Sequence, residues 1–141
     1  MPAGVRAITI ARPLFREYAE TARVAHRQVI GACLRRLLPA PRVGAHNLPS
    51  TAIVTVRRQG ADMIAHLLHY VPQRRGRQLD SVEDVLPLHE VALSIRTERR
   101  PQAVRLVPEG QTVEASWSDG YARFVVPHVA GYQIVQLVEA A

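Results

Sequence analysis

The stretch His89-Glu90-Val91-Ala92-Leu93-Ser94-Ile95-Arg96 decides the fold. His89, Val91, Leu93 and Ile95 point one way, and Glu90, Ala92, Ser94 and Arg96 point the other. That is the period of a strand with one face in a core and one in water. The pattern carries on toward the C-terminus. Residues 103–107, a Pro108-Glu109-Gly110 turn, residues 113–117, an Asp119-Gly120 turn and residues 121–126 read as a meander. Asp-Gly is a two-residue hairpin signal, because both residues tolerate the positive φ of a type I′ turn. Residues 131–139 supply a last strand.

The period of two also extends back from His89. Residues 51–59 form a strand with Ala52, Val54 and Val56 on one face, and Gly60-Ala61 turns the chain. Residues 62–71 are apolar on both faces, which predicts a strand central in its sheet. Residues 73–81 form an exposed basic loop. Residues 82–86 are expected as a short edge segment that Pro87 interrupts. Turns recur every eight to twelve residues, so the class is mainly β: an antiparallel β-sandwich of about seven or eight strands. Its expected core contains Leu67, Val91, Leu93, Ile95, Val104, Leu106, Phe124 and Val126.

Before residue 42 the period changes. Residues 7–10 are short and apolar and read as a strand. Pro13 suits a helix's first turn, and residues 14–38 then read as one long α-helix preceding the sandwich. Phe15, Tyr18, Ala22, Val29 and Leu37 recur at helical steps on a wide apolar stripe, which makes them the candidate interface residues. Glu17 and Glu20 lie early and Arg35 and Arg36 late, as the helix dipole favours. Pro39 and Pro41 stop the helix, and residues 42–49 are expected as a linker.

Composition narrows the function. Apolar content of 48% argues against disorder. No apolar run reaches the length of a membrane span, and no signal-peptide core is visible near Met1, so the expected location is cytoplasmic. The single cysteine, Cys33, permits no internal disulfide and is expected as a small buried hydrophobe. The formal charge is +6, and all the basic residues are Arg. A GC-rich coding sequence accounts for that bias. The sharper reading is an Arg-rich nucleic-acid-binding domain, with the dense cluster at Gln73-Arg74-Arg75-Gly76-Arg77 as its centre.

No residue pattern announces catalysis. There is no Gly-x-Ser-x-Gly and no Gly-rich phosphate loop. His66 and His69 are three apart, so on a strand they face opposite sides and do not make a metal pair. His89 reads as a core or edge histidine on an apolar face. The twelve carboxylates fall mostly in turns or on outward faces, away from the facing pair that glycosidase chemistry needs. No cofactor or metal is expected. Trp117 and Tyr121 flank the Asp-Gly turn. They are expected as a cross-strand aromatic pair, or alternatively as a platform for a sugar ring in a carbohydrate-binding module.

Certain residues occur in a suggestive order. They are Ala11-Arg12-Pro13-Leu14-Phe15-Arg16-Glu17-Tyr18, Arg27-Gln28, Leu34-Arg35-Arg36-Leu37-Leu38-Pro39, Leu48-Pro49-Ser50-Thr51-Ala52, His66-Leu67-Leu68-His69-Tyr70, Pro87-Leu88-His89-Glu90-Val91 and Asp119-Gly120-Tyr121. In that order they resemble the C-terminal region of β-galactosidase-like multidomain glycoside hydrolases, over almost the whole chain. Those enzymes carry a catalytic (β/α)8 barrel, a Rossmann-like trimerisation domain and a terminal β-sandwich. The resemblance implies that residues 1–41 are the remnant of a preceding Rossmann-like domain and that residues 42–141 are the C-terminal sandwich. It implies no catalytic residue here, because the barrel holds both catalytic carboxylates. His69 departs from the pattern, where the resemblance leads one to expect Asn. The expected function is a non-catalytic accessory domain, not an enzyme by itself. Its expected partners are the rest of a parent glycosidase or another copy of itself.

Overall fold

The computed structural model describes residues 7–139. The chain divides into two compact units, Met1–Pro41 and Arg42–Ala141.

The first unit is helical. It contains α1, Leu14–Thr21, and α2, Val24–Leu37. The expected single helix is therefore broken near its middle. Ala22 adopts a left-handed conformation with φ of 50° and donates its N–H to the Tyr18 carbonyl, while Arg23 is extended. No Gly or Pro marks this break. Thr21 returns its hydroxyl to the Glu17 carbonyl at 2.5 Å, and Thr21 and Val24 are β-branched on either side of it. Both features weaken helix propagation. Glu17 accepts from Arg12 at 3.0 Å and, across the break, lies 3.4 Å from the His26 ring. Residues 7–10 do not form the expected strand. A lone apolar tetrapeptide becomes a strand only with a neighbour to take its backbone hydrogen bonds.

The second unit is an antiparallel β-sandwich. Its strands are β1 Val43–His46, β2 Ala52–Gln59, β3 Asp62–His69, β4 Gln73–Arg74, β5 Asp80–Ser81, β6 Leu88–Arg96, β7 Ala103–Val107, β8 Thr112–Val113, β9 Ala115–Ser118, β10 Tyr121–Val129 and β11 Tyr132–Val138. One sheet runs β1-β6-β10-β9 and the other β2-β3-β11-β7-β8, with β4-β5 as a small separate hairpin. β3 has a partner on each side, as its two apolar faces predict. Three features raise the strand number above the expectation, the first being that the expected basic loop at residues 73–81 closes as the β4-β5 hairpin. The supposed linker at residues 42–49 contains β1, which pairs with β6 from Val43↔Ile95 to His46↔Ala92. The single strand expected at residues 113–117 is shared between sheets: β8 pairs with β7, and β9 pairs with β10.

The core sits between the sheets. All eight residues expected there are buried, joined by Met63, Ala65, Ala122, Val129, Val135 and Leu137. The alternation of β6 holds from Val91 to Ile95 and then slips. Glu90 has φ of 52°, and His89, expected on the apolar face, is exposed. The partner strand slips at the same level, where Pro127 and His128 are exposed between buried Val126 and Val129. The left-handed Glu90 breaks the alternation between its two neighbours, so Val91 stays in the core while His89 leaves it and meets its cross-strand partner His128, with ring centroids 5.0 Å apart.

His69 is the histidine that the fold does bury. Its Nδ1 donates to the Leu86 carbonyl at 3.0 Å, so its Nε2 accepts from the Thr51 hydroxyl at 3.1 Å. That bond fastens residues 82–87, which form no strand, to β3. Where the resemblance leads one to expect Asn, the longer imidazole bridges two segments of chain.

Candidate binding surfaces

Four places in the two units bear on function: the Asp119-Gly120 hairpin, the basic hairpin, the helical surface and a groove on the sandwich. The first carries the two aromatics. Asp119 and Gly120 have φ of 54° and 77°, the signature of a type I′ turn. Ser118 pairs with Tyr121 and Trp117 with Ala122, so Trp117 and Tyr121 do not pair with each other. Neighbouring strand positions face opposite ways, which puts the two rings on opposite faces of the sheet. Trp117 shares a face with buried Ala122 and donates from Nε1 to the Thr97 hydroxyl at 3.0 Å. Tyr121 lies on the outer face, with the Arg123 guanidinium 5.7 Å from its ring centre. Two rings on opposite faces cannot together stack on one sugar.

The basic hairpin is charge-balanced. Arg74 pairs with Asp80 at 2.7 Å, and Arg75 pairs with Glu83. Two of its three guanidinium groups answer nearby carboxylates, which offsets most of the positive charge of the densest Arg cluster. Other carboxylates are likewise in structural use. Asp62 accepts from Gln136 and from the Glu139 backbone, Glu109 accepts from Gln133, and Glu139 meets Arg58. Among the described residues, no group of three or more His, Cys, Asp or Glu could hold a metal ion. No helix there is long and apolar enough to cross a membrane.

The helical unit keeps much apolar surface in water. On α2, His26, Ile30, Cys33 and Leu37 form a half-buried stripe at steps of four, three and four residues. Val29 and Leu34 flank it and are exposed. Phe15 on α1 is 69% exposed. The five candidate interface residues do not share one helix face. The break separates Phe15 and Tyr18 from Val29 and Leu37, and Ala22 sits in the break itself.

The groove lies on the outer face of the β1-β6-β10-β9 sheet and has a volume of about 950 Å3. Its floor is low because Ala92 and Ser94 are small. Residues 111–116 form one wall as the chain passes from β8 to β9, with Glu114 at the crossing. Arg123, Val125 and Pro127 of β10 complete the floor, and His46 stands at the β1 side. The sequence marks Ala92 and Ser94 as outward-facing, but not the groove. Its lining comes from four separate segments of ordinary residue types. Only the division of one apparent strand between two sheets brings them together.

Comparison with solved structures now adds a relationship. The chain is similar to alpha-L-fucosidase isoenzyme 2 from Paenibacillus thiaminolyticus, with a TM-score of 0.85 and 26% identity over 91% of this chain and 20% of that chain. It matches part of a glycoside hydrolase. A likeness of fold alone links it to a cycloisomaltooligosaccharide glucanotransferase from Paenibacillus sp., at a TM-score of 0.50 and 14% identity over 67% of this chain and 16% of that chain. No protein-family model and no curated protein matches the chain. This chain thus spans about a fifth of the fucosidase it resembles, and the first match includes more of it than the sandwich unit alone supplies.

Proposed function

We propose that this chain is the non-catalytic C-terminal accessory region of a glycoside hydrolase, and that its role is to pack against the rest of that enzyme. One observation carries the reading: the likeness to the fucosidase covers 91% of this chain but only 20% of that one. The expected parent has the β-galactosidase-like order of barrel, Rossmann-like domain and sandwich, with residues 1–41 as the end of the middle domain. Two properties of the chain support a packing role. The groove holds a single carboxylate, Glu114, where retaining or inverting hydrolysis needs two. The helical unit exposes Phe15, Val29, Leu34 and Leu38, and apolar area left in water is unfavourable by about 25 cal/mol per Å2.

The test is an assay of the purified chain against a panel of aryl glycosides, α-L-fucosides included. No turnover above buffer is expected. Turnover abolished by Glu114→Gln, or by substitution of any other carboxylate, would overturn the reading.

A further inference from the structure

We infer that the groove on the outer face of the β1-β6-β10-β9 sheet is a binding site for a neutral oligosaccharide, a site distinct from the Trp117 and Tyr121 rings. The choice of glycan rests in part on the glycosidase reading above. The groove's own chemistry carries the rest.

Size comes first. About 950 Å3 lies at the upper end of ordinary ligand sites, and the groove is more open than enclosed, so it leaves room for several rings where a compact metabolite would be poorly surrounded. Its polar lining comes next. Gln111 both donates and accepts, the hydroxyls of Thr112 and Ser116 do likewise, Ser94 gives its proton to the Gly44 carbonyl at 3.3 Å and keeps its acceptor side, and Glu114 accepts. Sugar hydroxyls also donate and accept, so such a lining can satisfy them. An anion would need an excess of positive charge. Here the guanidinium of Arg123 is already held by the Ser118 carbonyl at 2.9 Å and by the Ser118 hydroxyl, with Asp119 at 3.8 Å. Glu114 and Arg123 leave the lining close to neutral. Ala92, Val125 and Pro127 offer the small apolar patches that the C–H faces of pyranose rings require.

The backbone argues against a peptide strand as the occupant. β9 pairs with β10 only as far as Ala115↔Phe124, and beyond that level the edge of β10 is open. In a two-residue hairpin the flanking pair, Ser118 and Tyr121, exchange backbone hydrogen bonds. Every second residue after Tyr121 therefore turns its backbone toward the β9 side. Arg123, Val125 and Pro127 are those residues. Pro127 has no N–H to give, so an added strand would meet a gap in the ladder where the edge opens.

The test is a titration of the 15N-labelled chain with neutral tetrasaccharides of the galacto-, cello- and isomalto-series, followed by amide NMR shifts. The expected result is saturable shifts at Ala92, Ser94, residues 111–116, Arg123 and Val125, with affinity in the millimolar range and unchanged by salt. Gln111→Ala and Glu114→Ala should each weaken binding about five-fold while leaving the rest of the spectrum in place. Absence of saturable shifts with all three sugars would overturn the inference. So would salt-sensitive shifts with a sulfated glycan alone, or shifts at Trp117 and Tyr121 that leave the groove unmoved. None of these results touches the accessory reading, which the turnover assay judges separately.

Discussion

The two units of this chain use apolar residues in opposite ways. In the sandwich, the alternating strands bury one apolar face completely: Val91, Leu93 and Ile95 on β6 meet Ala122, Phe124 and Val126 on β10, and all are at most 4% exposed. In the helical unit, Leu14 is the one described apolar residue that is fully buried, and the larger side chains of α2 stay half-buried or exposed. The sandwich closes on itself. The helices carry more apolar surface than their own unit covers. The first is a self-sufficient core, and the second is the apolar surface on which the proposed packing role rests.

The largest expected effect tests that contrast at the core. Leu93→Ala should destabilise the sandwich by about 2–5 kcal/mol, because a cavity opens between the sheets. Val29→Ala on α2 should cost under about 0.5 kcal/mol, since the removed methyl groups are already in water. Chemical denaturation of both variants provides the measurement. Similar losses would erase the difference between the units.

A smaller effect concerns His69. His69→Asn shortens the side chain, so the Leu86 carbonyl or the Thr51 hydroxyl loses its partner. The loss should be about 1–2 kcal/mol, with residues 82–87 opening first by hydrogen exchange. An unchanged midpoint would mean that the imidazole fastens nothing. Smaller again is Ala22→Gly. Glycine reaches a φ of 50° without the Cβ clash, so helicity by circular dichroism should rise slightly and stability by roughly 0.5–1 kcal/mol. Loss of helix would show that the break is not held by Ala22.

The same contrast explains what the sequence revealed. Strand alternation and the Asp119-Gly120 turn set the register of β6, β9 and β10, because a one-residue slip would expose a whole face. Four features escaped it. The break at Ala22 has no Gly or Pro, so local propensity hides it. β1 is four residues with no strong alternation, and only its pairing with residues 92–95 of β6 makes it a strand. The slip at Glu90 is a paired event in β6 and β10, invisible in either strand alone. The groove depends on Glu114 marking where the chain changes sheets, which no residue type announces.

Amide hydrogen exchange on the isolated chain at several concentrations tests the central claim most directly. The account predicts the slowest exchange at residues 91–95 and 122–126, near the limit of global unfolding. It predicts much faster exchange throughout α2, because that helix has no buried residue of its own. Protection of α2 that rises with concentration would identify a second copy as the cover. Protection of α2 equal to that of β6 in dilute solution would contradict the account, since the helical unit would then need no partner.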